Sequence, residues 1–231
     1  MENSLKNAKF NTFFKKLRIP VLVTLGVAIV IALVSAVAIS VGESKVKKVF
    51  ESLDAITKNV DKLRDLENAE EKKTKEDEVI SSLEKFIEEN KNYPGAILRA
   101  NMAKADIHFD KGEFEKARDA YIAAAETFSD VYISGIAYYN AAVACEELND
   151  LENSAKYFKL SYEQKDFALV SHAMFNAGRI LDTLKKYDEA AAIFKELTEK
   201  FPEDPWADLA KSRLLAMEVA GLIEETVTDS E

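Results

Sequence analysis

The sequence predicts an all-α protein, with an N-terminal transmembrane helix followed by a helical solenoid that ends in a capping helix. Residues 19–41 carry no charged side chain, and similar stretches of sequence recur about every 36 residues after residue 110. The chain of 231 residues holds only 7 glycines and 4 prolines, which favours helices over loops. A repeat of this length built from two helices is typical of a solenoid.

The charge is unevenly distributed along the chain. Residues 1–18 have a net charge of +4 and the residues from 42 onward a net charge of −14, which together give the overall −10. Nucleic-acid binding needs a basic face, so an acidic body of this size argues against it. The chain has one cysteine, Cys145, and therefore cannot form an intrachain disulfide.

Residues 19–41 are predicted to span a membrane. As a helix this segment is about 35 Å long, which exceeds the hydrocarbon thickness of about 30 Å. Five Lys and Arg residues lie in the tail of residues 1–18 before it, so we expect the tail in the cytoplasm and the rest of the chain outside. A cleavable signal peptide is the alternative, because Ala36-Val37-Ala38 has the small-x-small form of a cleavage site.

Small side chains recur every fourth residue within this segment, and one face of the helix could therefore contact another transmembrane helix. The four residues are Ala28, Ala32, Ala36 and Ser40. The alternative is that alanine is simply common in membrane spans.

The repeat is defined by three positions, Phe114, Leu151 and Tyr187, which are 37 and 36 residues apart. The predicted units cover residues 98–133, 135–169 and 171–204. Each has a first helix, a short turn and a second helix. The first helices are expected at residues 98–110, 135–148 and 171–184, and the second helices at 115–128, 151–164 and 187–200.

The third unit resembles the tetratricopeptide repeat (TPR). It carries Ala177-Gly178 in its first helix, Tyr187-Asp188-Glu189-Ala190 and Phe194 in its second, and Pro202 after it. Gly178 lets the two helices approach closely, and Phe194 fills the remaining space. The corresponding small residues are Ala105 and Ala142, and the corresponding aromatic residues are Tyr121 and Phe158. Unit two departs from the pattern, since Ser154 stands where the repeat has alanine.

Residues 42–75 are expected to form a juxtamembrane helix and a charged linker, before a solenoid over 76–231 with a capping helix at 205–225. The juxtamembrane helix has apolar residues in a heptad spacing: Val46, Val49, Leu53, Ile56, Val60 and Leu63. This stripe either packs on residues 79–87 of the same chain or forms a self-associating stalk. Residues 65–78 are expected to be a solvated turn or a frayed helix end.

No catalytic, cofactor-binding or metal-binding residues are expected. His108 and His172 have no cysteine or second histidine at ligand spacing, and the sequence has no glycine-rich phosphate loop. Cys145 falls at a core position of a first helix. We therefore expect a binding protein and not an enzyme.

The TPR resemblance implies that the first helices line a concave wall that binds peptides. The wall residues that this assigns are Arg99, Met102, Asp106 and Phe109 in unit one, Ile136, Tyr139, Asn140 and Val143 in unit two, and His172, Phe175, Asn176 and Arg179 in unit three. Amides at Asn140 and Asn176 could bind a peptide backbone, and the apolar members could bind its side chains. The alternative is that Met102, Tyr139 and Phe175 only pack between neighbouring helices. A clamp for a C-terminal carboxylate is not expected, because only Arg99 and Arg179 are basic.

The whole layout resembles the bacterial single-span periplasmic TPR proteins known as ancillary subunits of the Sec translocon. The closest local resemblance is SLEKFIEENKNYPGAILRANMAKADIHFDKGEFEKARDAYIAAA, residues 82–125. This resemblance implies a place in the bacterial inner membrane with a periplasmic C-terminal domain, and protein partners such as the translocon and envelope chaperones.

The sequence thus predicts a membrane-anchored adaptor that binds proteins or peptides in the cell envelope. Two alternatives stay open. One is a structural homo-oligomer held by the juxtamembrane helix, and the other is a cytoplasm-facing TPR receptor if the topology is inverted.

Overall fold

The structure is a computed structural model, and it describes residue 35 and residues 40–60, 62–63, 65–127 and 132–224. The chain divides into two compact units, Met1–Glu51 and Ser52–Glu231. In the first unit the described residues 35 and 40–51 are helical. The predicted basic tail lies outside the described residues, as does the predicted span except for residues 35, 40 and 41. Of the small-residue strip, only Ser40 is described, and it is exposed.

The described part is all-α, and its helices pack one after another as a TPR-type array. Residues 40–60 form α1. The helices that follow are α2 (Ala69–Glu89), α3 (Pro94–Asp110), α4 (Phe114–Thr127), α5 (Tyr132–Glu147), α6 (Leu151–Tyr162), α7 (Val170–Thr183), α8 (Tyr187–Lys200) and α9 (Pro205–Val219). Among the helices in these residues, none has the length and apolar character that crossing a bilayer requires.

The helix boundaries differ from the sequence prediction mainly at N-termini. α2 begins at Ala69, inside the segment expected to be a solvated turn or a frayed helix end, because Asn68 caps it by accepting a hydrogen bond from the Glu71 amide at 3.0 Å. α3 begins at Pro94, four residues earlier than expected. Proline suits the first turn of a helix, where its missing N–H is not needed.

The three hairpins share one turn geometry. Each first helix is followed by a residue in the left-handed region, with φ of 71° at Gly112, 56° at Asn149 and 59° at Lys185. In each case the next amide bonds back to the helix, as from Asp150 to the Cys145 carbonyl at 2.8 Å. This is the Schellman arrangement, which satisfies carbonyls at a helix end.

Close helix packing depends on the small residues that the repeat pattern predicted. Ala105 and Ala142 are fully buried, and a Cβ placed on Gly178 would lie 2.5 Å from Cε1 of Phe194. Gly135 makes an equally close approach to Phe167. The two hairpin helices of unit three can therefore contact each other only because residue 178 has no side chain.

The heptad stripe is at least partly buried inside the single chain. Leu53 is fully buried and Leu63 is 5% exposed, while Val79, Leu83 and Phe86 of α2 are also buried. This burial agrees with packing within the chain, the first of the two alternatives for this stripe, and it leaves Leu53 inaccessible to a partner.

Candidate peptide-binding wall

The twelve predicted wall residues lie on α3, α5 and α7, the first helices of the three units. Most of them are half-buried. Arg99 is more exposed, and Phe175 and Asn176 are each only 8% exposed. We call this set, together with the side chains bonded to it, the first-helix wall.

Tyr139 joins α5 to α7 at the centre of the wall. Its hydroxyl accepts a hydrogen bond from Nδ2 of Asn176 at 3.2 Å, and it lies 3.2 Å from Nδ1 of His172. Its ring packs edge-on against Phe158 of α6 with the centroids 5.1 Å apart. Burial is the main cause that raises the pKa of the Tyr139 hydroxyl, so this group stays a neutral donor and acceptor.

Arg179 makes the second link between these helices. Its Nη2 donates to both carboxylate oxygens of Glu146 on α5, at 2.9 and 2.8 Å. Nε and Nη2 also donate to Oδ1 of Asn176, at 3.2 and 3.1 Å. Glu146 was not among the wall residues predicted from the sequence, although it lies 33 residues before Arg179 and has the opposite charge.

These contacts revise the expected role of Asn176. Its Nδ2 donates to the Tyr139 hydroxyl and to the His172 carbonyl, and its Oδ1 accepts twice from Arg179. A side-chain amide has two donor hydrogens and two acceptor lone pairs, so all four positions are occupied within the chain. Asn176 therefore organises the wall, and it could bind a peptide backbone only by breaking one of these bonds.

A similar arrangement joins α3, α4 and α5. The Tyr121 hydroxyl donates to Oδ1 of Asp106 at 2.6 Å and also hydrogen-bonds with Asn140. Burial, and then the hydrogen bond to Asp106, raise the pKa of Tyr121 far above its ordinary value. Asn140 is half-buried and, like Asn176, bonds to a tyrosine hydroxyl.

The wall continues onto α9 through aromatic contacts. Trp206 stacks on His172 with a centroid distance of 4.0 Å and an interplanar angle of 15°, and it lies 5.3 Å from Phe175. Burial and the charge of Arg179 lower the pKa of His172, against the opposing effect of Asp204. Trp206 lies in the segment predicted as the capping helix, residues 205–225, and was not among the predicted wall residues.

Charged pairs also link the outermost first helices, α3 and α7, to α1 and α9. Nη2 of Arg99 lies 3.2 Å from Oδ1 of Asp54. Nη1 of Arg213 on α9 lies 4.0 Å from Oδ2 of Asp182 on α7. Both pairs are substantially exposed, so each contributes little to stability but places a cation and an anion at the surface.

The remaining residues singled out by sequence have packing or capping contacts. Cys145 is buried, and burial raises the pKa of its thiol to about 11, which disfavours the reactive thiolate. His108 is also buried, and its Nδ1 lies 2.7 Å from Oε2 of Glu113. In the part of the chain that the structure describes, no group of three His, Cys, Asp or Glu side chains could hold a metal ion.

The described helices form successive hairpins, and the first helices of these hairpins line one wall. This arrangement defines the helical-repeat class of solenoid proteins. Profiles of the tetratricopeptide repeat match residues 102–168 and 172–204, so these two segments consist of tetratricopeptide repeats. A "TPR repeat-containing protein" of Treponema pallidum (strain Nichols) is 36% identical over 149 residues, which are 64% of this chain and 62% of the relative. The chain thus spans less than two thirds of that relative's length.

Two solved structures are similar in part. BtubC (BKLC) from P. vanneervenii is 14% identical with a TM-score of 0.45, and the match covers 64% of this chain and 65% of that one. The apo form of RapI is 13% identical with a TM-score of 0.47, and the match covers 75% of this chain and 54% of that one. Neither TM-score is high enough to indicate a shared overall fold.

Proposed function

We propose that this protein is a membrane-anchored TPR adaptor whose first-helix wall binds proteins or peptides in the cell envelope. The observation that carries the proposal is the set of side-chain bonds from Tyr139, Asn176 and Arg179 that links α5 to α7. TPR domains bind protein partners, and the repeat profiles cover every predicted wall residue except Arg99.

The geometry favours binding because the polar wall side chains are already held in place. A preorganised surface loses less conformational entropy when a partner binds. Between the bonded groups lie half-buried apolar side chains, among them Met102, Phe109, Ile136 and Val143. A peptide could bury its own apolar side chains against these and form hydrogen bonds at the exposed edges of the polar groups.

The envelope location is supported by sequence alone. The uncharged run of residues 19–41 supports an anchor, and the basic residues before it support a cytoplasmic N-terminus in the inner membrane. The resemblance of residues 82–125 to ancillary Sec subunits supports a place beside the translocon, with envelope chaperones as partners. A cytoplasm-facing receptor would follow from the opposite topology.

A photo-crosslinking experiment in cells tests the wall directly. p-Benzoylphenylalanine would replace Phe109 on the wall or, as a matched aromatic control, the half-buried Tyr157 on α6. Crosslinked proteins would be identified by mass spectrometry after purification in mild detergent. We expect position 109 to capture Sec subunits or envelope chaperones and position 157 to capture far less. Equal capture at both positions would move the binding surface off the first-helix wall.

A further inference from the structure

His172 lies at the junction between α7 and α9, within the first turn of α7. Its imidazole ring stacks on Trp206 of α9, with the centroids 4.0 Å apart and an interplanar angle of 15°. The Tyr139 hydroxyl of α5 lies 3.2 Å from Nδ1 and 3.3 Å from Nε2 of the same ring. The ring is only half-buried, so it contacts both neighbours and can still exchange a proton with solvent.

The hydrogen bonds at the Tyr139 hydroxyl favour a neutral imidazole. Asn176 and His172 are the hydrogen-bond partners of this hydroxyl among the described residues. Nδ2 of Asn176 donates to the oxygen, so the hydroxyl hydrogen is left to bond with a ring nitrogen of His172. A neutral imidazole has one nitrogen that accepts, whereas an imidazolium has two that donate. Protonation of His172 would therefore leave the Tyr139 hydrogen without an acceptor.

The charges nearest to His172 also disfavour an imidazolium. The ring lies in the first turn of α7, where the positive end of the helix dipole opposes a cation. Burial, and then the charge of Arg179 on the same helix, lower the pKa of His172. Asp204 opposes both effects. Its oxygens, however, already accept hydrogen bonds from the backbone amide of Trp206 at 2.9 Å and from the Ser171 hydroxyl at 2.8 Å.

The other titratable groups on α5 and α9 are kept neutral or already paired. On α5, Tyr139 stays neutral because burial, above all, raises its pKa. Both carboxylate oxygens of Glu146 accept from Arg179. On α9, Oδ1 of Asp208 lies 3.0 Å from Nζ of Lys211. Glu146 and Asp208 are therefore engaged elsewhere, and neither is free to stabilise an imidazolium at residue 172.

The stack of His172 on Trp206 is therefore specific for the neutral ring. The face of an indole attracts a cation, but an imidazolium held there would lose the bond from Tyr139 and would be repelled by Arg179. We propose that protonation of His172 is a switch by which acid releases Trp206 and loosens the junction between α7 and α9. In the open form the imidazolium turns toward solvent, and the first-helix wall loses this contact with α9.

The difference in the pKa of His172 between the two forms sets the strength of this switch. The pKa is held below its ordinary value of 6.5 in the closed form, and it returns toward that value when the ring is exposed. Each unit of difference changes the ratio of open to closed forms by about tenfold as the pH falls. The switch acts within one chain and needs no partner, so it can fail while the proposed binding function holds, and the reverse is also true.

Fluorescence quenching of the full-length protein in mild detergent tests the switch. Trp206 is the only tryptophan of the chain, so its fluorescence reports on this junction alone. Quenching by acrylamide would be measured from about pH 8 to about pH 5, the interval in which histidine titrates. We expect the quenching constant to rise by about twofold or more in acid, because a released indole is more accessible. The midpoint should lie below 6.5.

Two variants of His172 remove the proton but keep one contact each. His172→Gln retains an acceptor for Tyr139, and His172→Phe retains a ring that can stack on Trp206. In both, the quenching constant should not change with pH. Tyr139→Phe removes the hydroxyl that favours the neutral ring, so its midpoint should move up toward 6.5. The matched control is His108→Gln, which replaces the other histidine of the chain and should keep the wild-type midpoint. Circular dichroism would confirm that each variant is folded.

Three results would overturn the proposal. One is a wild-type quenching constant that does not change over this interval. The second is a transition that persists in both His172 variants, because another group would then be titrating. The third is a transition that disappears in folded His108→Gln, which would assign the effect to the other histidine. An unchanged midpoint in Tyr139→Phe would contradict the coupling of His172 to Tyr139.

Discussion

Gly178 and Phe194 are in direct contact, and a Cβ on Gly178 would lie 2.5 Å from Cε1 and 2.8 Å from Cζ of the aromatic ring. Phe194 is fully buried, so a Cβ on residue 178 would have to displace a side chain of the core. This contact joins the two helices of the unit whose sequence follows the repeat pattern best.

Gly178→Ala should therefore destabilise the protein. We expect a loss of about 1 to 3 kcal/mol in the free energy of unfolding, because overpacking outweighs the gain in helix propensity. Urea unfolding followed by circular dichroism measures the change. Gly42→Ala is the control, since residue 42 is helical and nothing lies within 4 Å of its Cβ position. Combining Gly178→Ala with Phe194→Leu should cost less than the sum of the two single changes. If the losses in the free energy of unfolding simply add in the double variant, the contact between Gly178 and Phe194 does not limit the packing of the two helices.

The repeat and its hairpins could be predicted from the sequence because they depend on local patterns. Small residues facing aromatic residues fix the packing of each hairpin, and the second helix of unit three begins and ends where the pattern put it. The start of α2 was missed because its cap is a single polar residue, Asn68, within a charged run. The bonds among Tyr139, Asn176 and Arg179 were also missed, because they depend on the three-dimensional alignment of two helices 37 residues apart in sequence.

Two buried serines on α6, Ser154 and Ser161, should lower the stability of unit two. The side chains of Ser154 and Ser161 are fully buried, and neither hydroxyl has a hydrogen-bond partner among the residues that the structure describes. Replacing either with alanine should raise the free energy of unfolding by about 1 kcal/mol, because an unsatisfied buried hydroxyl is costly. Ser134 is the control, since it is equally buried but not without a partner, and Ser134→Ala should destabilise. Stabilisation by all three changes would contradict this explanation.

Asn176→Ala should destabilise the wall more than Asn140→Ala does. The change leaves Tyr139 and Arg179 without a shared partner in a nearly buried place, which should cost about 1 to 3 kcal/mol. The half-buried Asn140 should cost less. Thermal unfolding measured on both variants tests the order. Equal melting temperatures would show that Asn176 does not organise the wall. Its side-chain amide would then be available to bind a peptide backbone.

Glu113, in the turn between α3 and α4, should make the free energy of unfolding decrease at acidic pH. The pKa of Glu113 is lowered from 4.5 to about 2, first by a hydrogen bond from Lys116 and then by His108 and Lys111, while burial opposes the shift. Since the folded-state pKa lies below the unfolded-state value, the stabilisation is fully present above about pH 4.5 and is lost as the pH falls toward 2. Glu113→Gln should be less stable near neutral pH and lose less stability over this interval. Glu115→Gln, on the exposed side of α4, should behave like the wild type in the same urea titrations.

The topology decides which partners can reach the wall, and the positive charge of residues 1–18 predicts a cytoplasmic N-terminus. In a Cys145→Ala background, Ser81→Cys on the exposed side of α2 should react with a membrane-impermeant maleimide in intact spheroplasts, and Asn7→Cys should not. Both should react after detergent is added, which controls for intrinsic reactivity. Labelling of Asn7→Cys alone would make the protein a cytoplasm-facing receptor. Mass spectrometry of the same samples separates an anchor from a signal peptide, because cleavage after residue 38 would remove the N-terminal segment and residue 7 with it.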